Sequence, residues 1–362
     1  MTRIKTKKPR RRPATALDVA RLAGISRSAV SRTYTEGASV SPVTRNKVLA
    51  AAKTLKYRPN LFARALITQR SNIVGLAVSG LDNQFYPEVV QRFSEEFAKV
   101  GYRLLLIVTH GSAGPDPLLD ELLKYRLDAL ILASSSVSSG LAESCRQAGV
   151  PVIMYNNVNP RSDVPSIAAT NRLGSRTVAA FLVAGGHRRF AYIAGFKADS
   201  SSFERERGFS SYLVKQGLGS PARAEGQFSF DGAIHATRSL LKSPKRPDAI
   251  FCANDHMALA ALQVARCEFG LSPGKDLSIV GFDNAPISAW PNFQLTTYSQ
   301  PTERMVARAI SLIRESLAGK ALRGVHEELP GELLVRSSAR LPTTGVVRSP
   351  TGTLIWTPKT RV

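Results

Sequence analysis

The sequence predicts a small all-α head joined to a larger, two-lobed α/β body with parallel sheets. Three observations predict it. The first 60 residues hold three short segments with helical spacing and capping signals. From Asn72 onward, β-branched runs alternate with helical stretches, and the scheme repeats once. Charge divides the chain at the same place: residues 1–70 carry 17 Lys and Arg against two acidic residues, Asp18 and Glu36, while the remaining 292 carry 32 against 25.

A chain of 362 residues allows two or three domains at roughly 150 residues each. Its 43% hydrophobic share is enough for a sizeable core. No run approaches the ~20 apolar residues of a membrane span. The basic start, Met1 to Pro13, lacks the apolar stretch of a secretory signal, so a cytoplasmic location is expected. Cys145, Cys252 and Cys267 are widely spaced, which suits reduced thiols rather than a disulfide frame or metal site. About two-thirds of the net charge of +22 sits on the head, the footprint of a polyanion-binding surface. Charge alone does not separate DNA from RNA or anionic lipid.

In the head, Leu17, Val19, Ala20 and Leu22-Ala23 form a short amphipathic helix, and Gly24 supplies the turn after it. Ser26 is an N-cap for a second helix, Arg27 to Thr33, with Ala29 and Val30 inward. Ser41-Pro42 starts a third, to about Leu55, carrying Val43, Val48, Leu49, Ala52 and Leu55. Three helices with a Gly turn between the first two describe a helix-turn-helix. In that geometry the second helix enters the major groove of duplex DNA. Arg27, Ser28 and Arg32 then face base edges, Arg being suited to bidentate contact with guanine. Ser31, Thr44, Arg45 and the amino-terminal ends of the helices, Ser26 among them, are where phosphates are held. The bland reading is a helical bundle with solvated arginines, which leaves the agreement of charge, turn and caps unexplained.

The head resembles the LacI family of bacterial repressors. The resemblance rests on Thr15 to Ala20, Ala23 to Ser26, Ala29 to Arg32, Val40-Ser41, Thr44-Arg45 and Leu55 to Asn60. Thr33 to Gly37 departs from the Val-Leu-Asn-like stretch usual there. The resemblance implies a hinge helix after Asn60, with Leu66 wedged into the minor groove of the operator.

In the body, the expected strands are Ile73–Val78, Arg103–Val108, Ala129–Leu132, Val152–Tyr155, Phe190–Ala194, Ala249–Cys252 and Leu277–Val280. Helices are expected at Glu88–Val100, Pro117–Tyr125, Gly140–Ala148, Asn171–Val183, Arg205–Gln216, Ile234–Leu241 and His256–Phe269, with another at Thr302–Leu317. Ligands in doubly wound sheets sit at the carboxyl ends of strands, here between lobes.

The body is similar to the family's periplasmic-binding-protein-like (type I) effector domain, through Asn83 to Tyr86, Gly186 to Arg189, Arg205 with Gly208-Phe209, Ala253 to Asp255, and Gly281 to Asp283. The resemblance implies an effector site of Gln84, Phe85 and Tyr86 from the first lobe, with Arg205, Phe228, Asn254 and Asp283 from the second. Arg205 suits a carboxylate, phosphate or paired hydroxyls, and Asp283 and Asn254 suit polyol hydroxyls. Phe85 and Phe228 are equally readable as core. Thr170 stands where many members carry Asp, a lean toward an anionic or less hydroxylated effector.

The expected organisation is a basic disordered tail at 1–14, the head at 15–60, and hinge and linker at 61–71. The body follows at 72–340, with lobe one about 72–170 and 299–327 and lobe two about 171–298 and 328–340. Residues 341–362, rich in Pro, Thr, Gly and Ser, are expected to be disordered. The resemblance implies a homodimer on a near-palindromic operator, controlled by a small molecule, without cofactor or metal. An enzyme is disfavoured, because no nucleophile elbow, P-loop, dinucleotide or zinc-protease motif occurs and His187, His235 and His256 are isolated. The basic head argues against a transport binding protein, and the clefted body against a purely architectural DNA binder.

Overall fold

The computed structural model describes residues 12–35, 37–59, 70–108, 124–133, 139–158, 162–197 and 199–358, with the side chains at 139–141 and 143 left aside. Leu66 and the hinge expected at 61–69 lie outside the described residues, as do most of the amino-terminal tail and most of the helix expected at 117–125. The chain divides into a unit ending at Ser71 and a unit beginning at Asn72.

The first unit holds α1 (Ala16–Ala23), α2 (Arg27–Thr33) and α3 (Pro42–Leu55). α1 begins with a capping box: Asp18 N–H donates to Thr15 Oγ1 at 3.3 Å, and Thr15 N–H donates to Asp18 Oδ2 at 2.9 Å. Gly24 closes it at φ +65°, a left-handed turn that turns the chain sharply into α2. The core is narrower than the sequence pattern suggests. Val19, Ala20, Val30, Val48, Ala51 and Ala52 are buried, whereas Leu17, Leu22, Val43 and Leu49 are exposed. Seven- and eight-residue helices cross over a small contact, so only one narrow stripe of each is covered. Thr33, in the departing segment, is buried with its hydroxyl donating to Ala29 O at 2.9 Å, and Tyr34 packs edge-on against Tyr57.

The second unit contains two sheets. The first runs in the order β11 (His326–Leu329), β5 (Ser166–Ala169), β4 (Val152–Tyr155), β3 (Ala129–Ala133), β1 (Ile73–Val78), β2 (Arg103–Val108), all parallel. The second contains β7 (Ala222–Glu225), β6 (Phe190–Ala194), β8 (Ala249–Cys252), β9 (Ser278–Asp283) and β10 (Thr296–Ser299) in parallel. Central strands such as β3 and β6 are buried along their whole length, which is why they read as unbroken apolar runs; β9 is equally buried but carries Ser278 and Asp283 at its ends. Helices α4 (Phe85–Lys99), α5 (Ser139–Gln147) and α10 (Thr302–Leu317) belong to the first lobe. α6 (Asn171–Ala184), α7 (Ser200–Lys215), α8 (Phe230–Lys242) and α9 (Asp255–Cys267) belong to the second. The chain passes between the sheets after β5, after β10 and after β11. α6 and α7 meet closely at Gly208, where a Cβ would stand 2.3 Å from the Arg172 carbonyl oxygen.

The expected disorder from 341 onward is incorrect through residue 358. After β12 (Leu333–Val335), the chain forms a hairpin of β13 (Val346–Arg348) and β14 (Leu354–Trp356), and β14 pairs antiparallel with β12. Trp356 is only 5% exposed, stands edge-on to Phe181 at 5.7 Å, and donates its indole N–H to Thr344 O at 3.0 Å. Three-residue strands show no period. The hairpin is held by an existing sheet edge and one buried indole.

Candidate DNA interface and ligand cleft

In the head, α2 presents Arg27, Ser28, Ser31 and Arg32 to solvent while Val30 and Thr33 turn inward. Ser26 Oγ accepts from Ala29 N–H at 3.2 Å and lies 2.9 Å from Ser28 Oγ, so the first turn of α2 is capped and its hydroxyls are grouped. Ser41 Oγ accepts from Thr44 N–H at 3.2 Å and donates to Thr44 Oγ1 at 2.9 Å. Arg45 Nη1 donates to Thr33 O at 3.4 Å, which leans this cation toward the end of α2. Seven of the eight residues expected at a DNA surface therefore lie on α2 or at the capped starts of α2 and α3, all exposed except half-buried Thr44. The eighth, Leu66, is outside the described residues.

In the body, the expected effector residues of the second lobe gather round Arg205 on α7, which is 1% exposed. Its Nε donates to Asn171 Oδ1 at 2.8 Å, its Nη1 donates to Ala253 O at 2.6 Å, and Nη1 stands 3.3 Å from Asp283 Oδ1. The guanidinium lies over the Phe282 ring at 3.8 Å. Its Nη2 is buried without a hydrogen-bond partner among the described residues. A buried donor left unmade costs about 1–3 kcal/mol, which a bound acceptor would recover.

Asp283 ends β9 at φ +127°, a backbone region that favours glycine and costs a side-chain residue about 1–3 kcal/mol. Gln300 Nε2 donates to its Oδ1 at 2.7 Å. Burial pushes the carboxyl up to about 7, opposed by Arg205 and assisted by Asp255. Tyr86 joins the cluster from the first lobe: burial raises its hydroxyl, Asp199 and Asp283 add to the rise, and Ser79 and Arg205 oppose it. Asn254 caps α9, its Oδ1 accepting from Met257 N–H at 3.0 Å, which leaves its amide nitrogen to offer. Phe228, itself at φ +52°, packs over Gly195, where a Cβ would fall 2.2 Å from the ring.

Two expected residues stand apart. Phe85 is 1% exposed and belongs to the hydrophobic core cluster, which favours the core reading of this ring. Gln84 is exposed and donates to Asp82 O at 3.3 Å, with no contact to the Arg205 group. The structure adds residues that the sequence reading did not place at the site: Asn171 and Phe282 around the guanidinium, and Asn156 at the end of β4. Asn156 Oδ1 is buried and unpartnered among the described residues, and its φ of +60° sets it off the strand. The signal for it was available in the rule that ligands gather at strand carboxyl ends. Beside it, Ser200 Oγ of the second lobe donates to Asn157 Oδ1 at 2.6 Å and accepts from Val158 N–H at 3.1 Å.

A capped helix-turn-helix carrying exposed arginines, on the same chain as a two-sheet body with a polar, incompletely satisfied cleft, defines a ligand-responsive DNA-binding regulator. Residues 15–60 match the model of bacterial regulatory proteins of the lacI family, and residues 179–339 match the periplasmic binding protein-like domain. The catabolite control protein A of Priestia megaterium is 30% identical, covering 90% of this chain and 99% of its own. The ribose operon repressor of Escherichia coli (strain K12) is 31% identical, covering 90% of this chain and all of its own. The structure of the lac repressor dimer bound to operator and the anti-inducer ONPF superposes with a TM-score of 0.80 at 28% identity, covering 91% of this chain and all of that one. The chain belongs to the lacI family of bacterial regulatory proteins. It is a DNA-binding transcriptional regulator with a small-molecule effector domain. No described helix is long and apolar enough to cross a membrane.

Proposed function

We propose that the protein is a homodimeric cytoplasmic repressor whose operator affinity is set by a sugar, sugar acid or related metabolite held between the lobes. The observation that carries this reading is the unpartnered Nη2 of Arg205 beside Asp283. A ligand with one acceptor for Arg205 and one hydroxyl for Asp283 fits both groups, as a sugar hydroxyl pair or a sugar carboxylate does. Tyr86, Asn156, Asn254 and Phe228 are the proposed remaining contacts.

On the DNA side, Arg27, Ser28 and Arg32 read base edges, while Ser26, Ser31, Thr44 and Arg45 hold phosphates. Leu66 is proposed as the minor-groove wedge on the family resemblance alone. The ligand acts through its different affinity for two arrangements of the lobes, and so for two states of the dimer. No catalytic role is proposed.

The test is fluorescence anisotropy of a selected operator duplex titrated with the full chain, with and without members of a panel of sugars and sugar acids. At least one should shift the operator midpoint in the wild type and leave Asp283→Asn unmoved. A panel in which every active compound shifts both proteins equally would remove the cleft from the account.

A further inference from the structure

The β13–β14 hairpin walls a groove of about 880 Å³ on the second lobe, beyond residue 339 where the family match ends. Arg336, Arg340 and Arg348 line it with Ser337, Thr353 and Leu354, and none of its lining residues is acidic. It shares no lining residue with the Arg205–Asp283 cluster.

The three arginines are oriented without meeting a carboxylate, as Arg266 and Arg304 are elsewhere on the body, but here three of them line one groove. Arg336 donates from Nη1 to Leu295 O at 2.6 Å and from Nη2 to Asn284 Oδ1 at 2.7 Å. Arg340 Nη2 donates to Lys275 O at 3.1 Å, and Arg348 Nη1 to Gly352 O at 2.7 Å. Every acceptor is a neutral oxygen, which orients a guanidinium without cancelling its charge. Each guanidinium has five donors, so several remain. Other arginines of the body do meet carboxylates: Arg223 meets Glu206 at 2.8 Å, Arg238 meets Glu268 at 2.7 Å, and Arg308 meets Glu327 at 2.6 Å. Asp255, whose oxygens accept from Ala285 N–H and the Ser288 and Thr297 hydroxyls, acts on Arg336 as a counter-charge outside the groove lining. Burial draws the Arg336 guanidinium downward, opposed by Asp255.

We propose that the carboxy-terminal hairpin builds a second ligand site, which accepts a small polyanion carrying two oxyacid groups, phosphoryl or carboxyl. The volume falls within the range of about 300–1,000 Å³ of small-molecule sites. Planar guanidinium forks match oxyanions bidentately, and the Ser337 and Thr353 hydroxyls supply neutral donors beside them.

The test is calorimetric titration of pyrophosphate, and separately of citrate, into the full chain at constant ionic strength. Fluorescence of Trp356 in the hairpin is followed in parallel. Arg340→Gln/Arg348→Gln is compared with Lys242→Gln/Arg246→Gln, which removes two exposed charges elsewhere on the same lobe. The basic head is common to all the proteins, so head binding cancels. The wild type and the control should bind one of the two anions saturably and alike. The groove variant should lose about tenfold or more, the order of one charge-assisted hydrogen bond. Unchanged melting without anion establishes folding. Arg348→Gln alone, tied only to the hairpin's own Gly352, provides the same comparison if the double variant is unstable. Equal binding by groove variant and wild type, equal loss in both variants, or no saturable binding of either anion would overturn the proposal.

Discussion

The guanidinium of Arg205 stands 3.3 Å from the carboxylate of Asp283, and both side chains are almost wholly withdrawn from water. A buried pair of this kind adds little net stability against an apolar replacement, but breaking it leaves one group stranded. Arg205→Ala is therefore expected to cost the body about 3–5 kcal/mol in urea denaturation. Arg205→Met/Asp283→Leu should cost less than that single change. A single variant as mild as the double would show that the two groups are not coupled.

The same pair sets a pH dependence. Burial holds the Asp283 carboxyl up to about 7, whereas the unfolded chain ionises near the usual 3.8. Between those values the folded state keeps a proton that the unfolded state has lost. This group therefore lowers stability as pH rises from about 4 to about 7, and adds no slope above. Thermal melts across pH 4 to 8 should show Asp283→Asn gaining on the wild type over that window, with a constant difference beyond it. Parallel curves throughout would mean an ordinary carboxylate.

The hairpin offers a separate check. Trp356 is 5% exposed and packed on Phe181, so Trp356→Ala should cost the body roughly 3 kcal/mol or more, as buried aromatic truncations do. Denaturation followed by circular dichroism reads this directly. A neutral substitution would return residues 341–358 to the disorder that composition suggests.

In the head, Ser26 Oγ caps α2 through Ala29 N–H. Ser26→Ala is expected to destabilise the head by about 1 kcal/mol and weaken operator binding, while the body melts unchanged. Ser26→Asp would keep the cap yet place a negative charge where a phosphate is proposed. It should preserve head stability and lose DNA affinity; full affinity would move the phosphate elsewhere.

These comparisons also show what was readable beforehand. Strands β1, β4, β6 and β8 match the expected boundaries because a strand buried on both faces must be apolar throughout; β2, a half-exposed edge strand, matches through its own apolar run Leu104 to Val108. The caps at Thr15, Ser26 and Ser41 were legible because their chemistry is local. β5, with Ser166 inside it, and β7, with Arg223 and Glu225, carry no apolar period, and only their neighbours make them strands. The hairpin fails for the same reason. At the cleft, Arg205, Asp283 and Asn254 were reachable through family motifs. Phe85, the first residue of α4, reads alike from sequence whether it faces core or ligand.

The central claim is that α2 discriminates bases through Arg27, Ser28 and Arg32. The most direct measurement is the ratio of affinities for a selected operator and a scrambled duplex of equal length, at physiological salt, for the wild type and for a variant with alanine at those three positions. The account predicts a wild-type ratio of about a thousandfold or more that collapses toward unity in the variant, with scrambled-duplex binding reduced only as two lost charges require. A folded variant that keeps the wild-type ratio would contradict it.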